Sequence, residues 1–356
     1  MIRIYPNTKI YIAAPAATFT GGPESLHQLA YHLKNDLNVN AYMYYFPSKH
    51  PKPVHPNYEE YRIQFVNQIE DDKDNILVVP EISRGIKLLE HFRHIRKIIW
   101  WLSVDNFYLS NVFEPKSNPF IGIRIMINNI YYKFMRENLF DIAEIALKDE
   151  KFKRFKLPEH VKKADFHFAQ SFYALNFIKS KEITQDKIYY LPDYLNKSFL
   201  EAQTDLSKKV NIVAYNPMKG FVFTKKIISS AKDIKFVPLI NMSRREVIKI
   251  LQRAKVYIDF GNHPGRDRIP REAAILGCCV ITGKRGSAAF FEDVPIPNEY
   301  KFEDKKKNIP KIIEKIKDCF ENFEERYKDF NYYREVIKNE PQKFVEKLKK
   351  IFVKEE

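Results

Sequence analysis

Cysteine is scarce in this sequence, and long apolar runs do not occur in it. The three cysteines are Cys278, Cys279 and Cys319, and two of them are adjacent in an apolar segment typical of small buried hydrophobic residues. This scarcity excludes a disulfide framework and fits a reducing cytoplasm. The apolar stretch 120–127 is interrupted by Arg124 and is too short to span a bilayer. Polar residues at 7–9 interrupt the first apolar residues, which predicts no signal peptide.

Positive charge is abundant instead. The 356 residues include 60 lysines and arginines against 45 aspartates and glutamates, which gives a net charge of +15. Such an excess suits nucleic acid, an anionic membrane surface or a phosphorylated substrate. A helix-turn-helix, a zinc pattern and a ribonucleoprotein-type aromatic motif are all absent from the sequence, so we predict no nucleic-acid partner.

The order of apolar segments predicts an α/β protein with two doubly wound halves. The length favours two domains over one. The first half has predicted strands at 9–14, 39–46, 75–80, 97–103, 164–171 and 187–192. A polar stretch at 197–209 is the predicted linker, and a new strand begins at 210. The predicted domains are therefore 1–200, 201–330 and a helical tail at 331–356.

The segment Val256–Gly286 reads as strand, polar loop, short helix at 271–276, strand and second turn. Ligands bind at such loops because they lie at the carboxyl ends of parallel strands. A helix N-terminus there offers free N–H groups to an anion. Positive charge in the two loops comes from Arg266, Arg268, Lys284 and Arg285. The segment predicts a phosphate or diphosphate site; the alternative is a surface unit with solvated arginines.

Two further positions of the first half fit a site at the same sheet edge. Gly21 and Gly22 follow the first strand and allow backbone to approach a ligand closely, although a tight turn would need them equally. Asp105 follows the predicted fourth strand, at a carboxyl end where catalytic groups often lie. The alternative for Asp105 is a solvated loop aspartate.

The segment 115–137 differs in character because apolar and aromatic residues alternate with basic ones. The basic residues are Lys116, Arg124, Lys133 and Arg136. Such a segment suits the interface of an anionic membrane, and it also suits an ordinary packing helix.

Three motifs resemble those of GT-B-type glycosyltransferases, in particular the retaining, group-1-like enzymes that use nucleotide sugars. The motifs are Gly21-Gly22-Pro23-Glu24, Asn216-Pro217-Met218-Lys219-Gly220 and Pro270–Ile281. The resemblance spans the whole length and is strongest over 210–290. It implies that Lys219 binds a donor diphosphate and that Glu272 accepts hydrogen bonds from the ribose hydroxyls. The larger retaining families carry an acidic residue eight positions before that glutamate, where this sequence has Pro264, with His263 beside it. The stereochemical outcome is therefore left open.

The resemblance implies two Rossmann-like domains facing a cleft, with C-terminal helices that cross back to the first domain. It also implies transfer of a sugar from a nucleoside diphosphate sugar to a glycan or lipid-linked glycan, as in bacterial-type surface polysaccharide synthesis. The expected donor-binding residues are Gly21, Gly22, Lys219, Arg266, Arg268, Glu272, Arg285 and Gly286. The catalytic candidates are Asp105, Glu24 and His263, with His27 as a further possible base.

The same resemblance gives expectations about cofactors, partners and cellular location. No bound metal and no organic cofactor are expected, because basic side chains and a helix N-terminus would stabilise the leaving diphosphate. The expected partners are a nucleotide sugar, a glycan or lipid-linked acceptor and an anionic membrane surface at the inner face of the cytoplasmic membrane, in an otherwise cytoplasmic protein. The alternatives are a GT-B-like nucleotide-sugar epimerase and a non-enzymatic, basic α/β module that docks on membranes.

Overall fold

The computed structural model describes residues 1–113, 119–135, 139–147 and 154–355. The strands are β1 (Ile2–Ile4), β2 (Lys9–Pro15), β3 (Asn40–Phe46), β4 (Phe65–Val66), β5 (Ile76–Pro80), β6 (Arg96–Trp101), β7 (Phe166–Ala169), β8 (Ile188–Tyr190), β9 (Val210–Tyr215), β10 (Lys235–Pro238), β11 (Ala254–Asp259), β12 (Cys279–Thr282) and β13 (Phe352–Lys354).

The α-helices are α1 (Gly21–Asn35), α2 (Ser83–Leu89), α3 (Val104–Asn111), α4 (Pro119–Met135), α5 (Ile142–Leu147), α6 (Glu159–Lys162), α7 (Phe172–Lys179), α8 (Lys197–Leu200), α9 (Phe221–Ser230), α10 (Arg244–Arg253), α11 (Arg268–Ile275), α12 (Ile309–Glu321), α13 (Phe323–Lys328) and α14 (Asn331–Ile351). Short 3-10 helices span Pro56–Tyr61, Gln185–Lys187, Leu206–Lys208, Gly286–Ala289, Asn298–Tyr300 and Lys306–Asn308.

The first sheet is parallel and has the order β4-β3-β2-β5-β6-β7-β8. In sequence order this is the doubly wound arrangement, in which the chain leaves the central strand first to one side and then to the other. Its strands are nearly continuous apolar runs because helices cover both faces. The two faces bury separate apolar clusters, one around Ile12 and Trp100 and one around Val79 and Trp101.

The second sheet is also parallel, with the order β10-β9-β11-β12. Its core includes Val213, Ile258, Val280 and the helix residue Ile316. The predicted fold class, α/β with two doubly wound halves, is confirmed.

The C-terminal helix α14 joins the two halves. Tyr333 and Ile337, near its start, pack in the core of the second sheet. Phe344 and Leu348, near its end, pack in a core of the first sheet. The chain then forms β13, which pairs in parallel with β1. The expected crossing of the tail back to the first half is therefore present, and it ends in a strand that the sequence analysis did not predict.

Two helices near the predicted site begin earlier than predicted. Helix α1 begins at Gly21, so Gly21 and Gly22 form its first turn rather than a loop, and Thr20 occupies the N-cap position. Helix α11 begins at Arg268, with Asp267 at its N-cap position. Asp105 lies in the first turn of α3, after the serine Ser103 that caps it. The sequence analysis assigned these first helical residues to loops because glycine and aspartate are common in turns as well as at the starts of helices.

Helix α4 carries the apolar part of the basic, aromatic segment. Large side chains on it are exposed: Phe120, Ile123, Met126, Ile127, Ile130, Tyr132 and Phe134. Arg124 and Lys133 are exposed on the same helix. Lys116 and Arg136, two of the predicted basic positions, lie outside the described residues. Among the helices that the structure describes, none combines the length and the apolar character that crossing a bilayer requires.

Candidate active site between the two sheets

A cleft of about 790 Å³ opens where the carboxyl ends of the two sheets face each other. In each sheet, the strand order reverses at one point, between β2 and β5 in the first and between β9 and β11 in the second. The segments that follow these strands form the cleft, as expected for ligand sites in doubly wound sheets. The lining residues include Thr18, Phe19, Gly21, Gly22, Glu81, Asn106, Asn216, Lys219, Asp259, Arg266, Asp267 and Arg268.

The loop after β11 contacts the first sheet directly. Val104 donates its backbone N–H to the carbonyl of Pro264 at 3.0 Å. A Cβ atom on Gly265 would lie 1.9 Å from the carbonyl oxygen of Leu102. Any side chain at Gly265 would therefore push the two halves apart, which accounts for glycine at this position.

Lys219 lies at the second-sheet wall of the cleft. Its ammonium donates to both oxygens of Asp267, at 2.9 and 2.8 Å. Burial by itself would lower the pKa of Lys219, but Asp267 and Asp259 outweigh burial and raise this pKa. The turn that carries Lys219 is tight, because Gly220 has a φ of +60° and a Cβ atom there would meet the carbonyl of Phe260.

Asp105 is almost fully buried, and the charge of Lys219 acts on its carboxyl. Its carboxylate accepts a hydrogen bond from the hydroxyl of Tyr173 at 2.9 Å. Burial raises the pKa of Asp105 to about 6, although the hydrogen bond from Tyr173 opposes that shift. Asp105 itself does not line the cleft; its helix neighbours Ser103 and Asn106 do.

The predicted catalytic residue His263 is fully buried between two carboxylates. One ring nitrogen, Nε2, lies 3.6 Å from Asp259, and the other, Nδ1, lies 3.4 Å from Asp267. Neither nitrogen has a hydrogen-bond partner. The other histidine candidate, His27, is bonded through Nδ1 to the carbonyl of Pro23 and through Nε2 to the hydroxyl of Tyr45.

The predicted donor-binding arginines are engaged in ion pairs between the two halves. Arg268 donates to the carboxylate of Glu24 in α1 and, at 2.9 Å, to Asp193. Arg266 pairs with Glu340 of α14 at 2.7 Å. Glu24, a catalytic candidate, is thereby held by Arg268 and, at 3.1 Å, by Arg244 of the second half.

Arg271 completes this network, although it has no part in the sequence-based site. Its guanidinium donates to Asp193 at 2.8 Å and to Glu340 at 2.9 Å, and its side chain is fully buried. We name the set Arg266, Arg268, Arg271, Asp193, Glu340 and Glu24 the arginine network. It ties the first half, the second half and helix α14 together at one point.

Three other predicted donor-binding residues lie apart from the lining of the cleft. Glu272 is half-buried, and burial raises its pKa to about 7. Arg285 donates to the carbonyl of Phe260 and pairs with Glu144 and Asp304. Gly286 has a φ of +57°, and a Cβ atom there would meet the carbonyl of His263.

Four acidic residues near the cleft were missed by the sequence analysis: Asp193, Glu340, Asp259 and Asp267. Of these four residues, only Glu340 could have been recognised from its position in the sequence. Glu340 falls on the apolar stripe of α14 formed by Tyr333, Ile337, Phe344 and Leu348, where a charged residue needs a buried partner. Asp259 and Asp267 lie within the segment Val256–Gly286, but the sequence analysis assigned no role to either of them.

Comparison with solved structures identifies the fold. No family model matches the sequence, and no curated protein matches it. HepE from Anabaena, in complex with UDP and glucose, superposes with a TM-score of 0.57 at 10% identity, covering 97% of this chain and 100% of HepE. Sucrose-phosphate synthase from Thermosynechococcus elongatus gives a TM-score of 0.60 at 10% identity, covering 97% of this chain and 98% of that protein.

A further structure of HepE, in complex with UDP-glucose, gives a TM-score of 0.56 at 11% identity, covering 97% of this chain and 100% of HepE. At these identities the similarity establishes the fold. The chain has the two-domain GT-B fold over almost its whole length, and the resemblance stated from the sequence is confirmed at that level.

Proposed function

We propose that this protein is a glycosyltransferase that moves a sugar from a nucleoside diphosphate sugar to a hydroxyl of a glycan or lipid-linked glycan. The observation that carries the proposal is the cleft where the reversal points of two parallel sheets face each other across a GT-B fold. Its walls bring together Gly21 and Gly22 from one half with Lys219 from the other.

The chemistry of the leaving group fits these walls. When the bond between sugar and diphosphate breaks, negative charge develops on the diphosphate, and fixed donors that stabilise it accelerate the reaction. The first turn of α1 begins at Gly21 and presents unpaired backbone N–H groups and the positive end of the helix dipole. Lys219 supplies a formal charge from the opposite wall. We assign the diphosphate to the space between these two groups. Glu272 does not itself line the cleft, and its proposed contact with the ribose rests on the motif resemblance.

Asp105, which lies behind Ser103 and Asn106 of the cleft wall, is the base we propose for a reaction that inverts the sugar configuration, acting through one bridging water. Such a reaction needs a general base that takes the proton of the acceptor hydroxyl. The carboxyl of Asp105 is ionised at neutral pH because its raised pKa of about 6 still lies below 7. A reaction that retains the configuration would leave Asp105 without this role, because an oxygen of the departing phosphate can take the proton.

The proposed acceptor is a glycan carried on a membrane lipid. Helix α4 exposes seven large apolar or aromatic side chains together with Arg124 and Lys133. Such a surface suits the interface of an anionic membrane. The net charge of +15 acts in the same direction. We therefore place the protein at the cytoplasmic face of a membrane, in synthesis of a surface polysaccharide of bacterial type.

The first donors to test are uridine nucleotides, because HepE was solved with UDP and with UDP-glucose. Thermal unfolding would be followed with UDP, GDP, CDP, dTDP and ADP, and then with the corresponding sugars. A ligand that binds only the folded chain raises the midpoint of unfolding. We expect one nucleoside diphosphate to stabilise the protein and its sugar to be hydrolysed slowly or transferred to a lipid extract.

Two outcomes would contradict the proposal. Failure of every nucleoside diphosphate to shift the midpoint would leave the cleft without its predicted ligand. Conversion of a free nucleotide sugar into its epimer, with no acceptor present, would make the protein an epimerase.

A further inference from the structure

Glu81 carries a buried carboxyl group in the cleft to which the proposed reaction assigns no role. It follows directly after β5, next to the point between β2 and β5 where the strand order of the first sheet reverses. Only 2% of the residue is exposed, yet Glu81 lines the cleft together with its neighbours Pro80 and Ile82. A residue at such a reversal point is well placed to contact a ligand.

The surroundings of this carboxyl offer hydrogen bonds but no counter-ion. Its Oε2 atom accepts the backbone N–H of Leu102 at 3.1 Å, and the backbone N–H groups of Ser103 and of Glu81 itself also act on it. No lysine, arginine or histidine of the described residues contributes to its pKa shift. A buried carboxyl without a cation is more stable in its protonated form, and burial raises the pKa of Glu81 to about 8. The carboxyl of Glu81 is therefore protonated at neutral pH.

A protonated carboxyl matches the hydrogen bonding of a sugar hydroxyl. The carboxyl donates through its O–H and still accepts hydrogen bonds, and a hydroxyl likewise donates one hydrogen bond and accepts others. Some enzymes keep a buried carboxylic acid neutral so that it can donate a hydrogen bond. An ionised carboxylate would only accept, and it would repel the diphosphate that we place in the same cleft. A neutral Glu81 can thus contact a sugar near the donor without opposing donor binding.

The order of the strands places Glu81 between the proposed diphosphate site and the proposed base. Strands β2, β5 and β6 are neighbours in the first sheet, with a spacing of about 4.8 Å. Gly21 and Gly22 follow β2, Glu81 follows β5, and Asp105 follows β6. An acceptor that approaches the donor sugar from the side of Asp105 therefore passes the end of β5.

We propose that Glu81 binds the acceptor by exchanging hydrogen bonds with a hydroxyl group of the acceptor sugar beside the hydroxyl that reacts. This inference rests on the proposed function, because it needs a donor held at Gly21 and Lys219. Glu81 then orients the acceptor, while Asp105 or the departing phosphate takes the proton of the reacting hydroxyl. It also sets specificity, because it favours a sugar with that free hydroxyl over the corresponding deoxy sugar.

The first experiment needs no acceptor. An infrared difference spectrum between the wild type and Glu81→Gln at pH 7 should contain the C=O band of one protonated carboxylic acid. Glu90→Gln, at an exposed glutamate of the same half, is the control and should lack that band. A carboxylate spectrum for Glu81 would overturn the inference, because an ionised Glu81 has no proton to donate to a hydroxyl.

The second experiment compares sugar transfer with donor hydrolysis. The donor is the nucleotide sugar that the thermal unfolding screen selects, and the acceptors are a lipid extract and the octyl glycosides of glucose, galactose and N-acetylglucosamine. Glu81→Met removes both hydrogen bonds, so it should raise the KM for the acceptor about tenfold or more and should reduce transfer far more than hydrolysis. Glu81→Gln keeps one donor and one acceptor group and should restore most of that loss. Glu90→Met is the matched control.

Monodeoxy forms of an accepted glycoside then identify the hydroxyl. Removal of the hydroxyl that contacts Glu81 should lower kcat/KM about tenfold in the wild type and little further in Glu81→Met, since the two changes delete the same contact. Equal losses of transfer and hydrolysis in Glu81→Met would assign Glu81 to the donor or to structural support, and would overturn the inference. A Glu81→Gln variant as inactive as Glu81→Met would also overturn it, because Glu81 would then act as an ionised base.

Failure of this inference and failure of the proposed function give different results. A protein that binds no nucleoside diphosphate would contradict the function. A protein that binds and hydrolyses a nucleotide sugar, but has the same acceptor KM with and without the Glu81 carboxyl, would contradict the inference alone. A wild type that hydrolyses the donor and transfers its sugar to none of these acceptors would count against an acceptor site at Glu81 and leave donor binding standing.

Discussion

Two clusters of charged side chains meet at the start of helix α11, and they differ in charge balance. In the arginine network, three guanidinium groups meet three carboxylates, and the pairs are nearly or fully buried. In the cleft cluster, the ammonium of Lys219 donates to both oxygens of Asp267, and the negative charges of Asp259 and Asp105 also act on it. The two clusters include consecutive residues of the chain, Asp267 and Arg268.

This difference in charge balance indicates that the two clusters have different roles. A balanced, buried network is strongly destabilised by the loss of any partner, because the remaining charges stay buried without compensation. An unbalanced cluster at a cleft stores electrostatic free energy that a ligand of the right charge can release, which is typical of functional sites. The arginine network thus holds the two halves and α14 in place, and the cleft cluster is where we expect ligands to act.

The largest effect is expected from breaking the arginine network. Arg271→Met would leave Asp193 and Glu340 without their shared guanidinium, and we expect a loss of about 3–5 kcal/mol in the free energy of unfolding. Denaturant unfolding measures it. Arg245→Met, at an exposed arginine of α10, is the control and should change stability by less than about 0.5 kcal/mol. A similar small loss for Arg271→Met would show that the network does not hold the halves together.

The next effect concerns turnover rather than stability. Lys219→Met would remove the ammonium proposed to stabilise the leaving diphosphate, and we expect the turnover number to fall about 10²–10³-fold. The exposed Lys232→Met serves as control. The turnover number and the unfolding midpoint are measured on the same samples. Unchanged turnover in Lys219→Met would remove the cleft cluster from the reaction.

A smaller and graded effect is expected from pH. A general base works only when ionised, and burial raises the pKa of Asp105 to about 6. The specificity constant kcat/KM should therefore be flat above pH 7 and fall about tenfold per unit as pH drops below about 6. Asp105→Asn should lack this limb of the profile and have low activity at every pH. A wild-type profile that stays flat down to pH 5 would exclude Asp105 as the base.

The smallest effect per residue is expected on helix α4, which we propose faces a membrane. Each basic residue near an anionic surface contributes about 1 kcal/mol to binding. The double variant Arg124→Glu and Lys133→Glu should sediment less with vesicles that contain phosphatidylserine, while its stability and its activity on a soluble acceptor should not change. Equal sedimentation of the variant and the wild type would assign α4 to another contact.

Local patterns predicted most of the secondary structure. Strand β9 begins at the predicted residue, Val210, because its signal is short-range. Ser243 caps α10 and forms a reciprocal capping box with Glu246, a device that is visible in four consecutive residues. The starts of α1 and α11 were misplaced because glycine, arginine and aspartate fit a loop and a first helical turn equally well.

The candidate site was predictable in part for the same reason. Gly21, Gly22 and Lys219 were found because parallel strands place the segments that follow them at one sheet edge. The engagement of Arg266 and Arg268 in ion pairs was not found, since their partners Glu340 and Glu24 lie far away along the chain.

The sequence by itself determined the fold class, the division into two halves and the edge of each sheet where ligands can bind, since these follow from periodicity and from the geometry of parallel strands. Only the tertiary structure decided which charges meet. Arg271 and Asp193 are 78 residues apart along the chain, and Arg271 and Glu340 are 69 apart. Their pairing depends on the docking of two domains and of α14, and no local pattern records such long-range contacts.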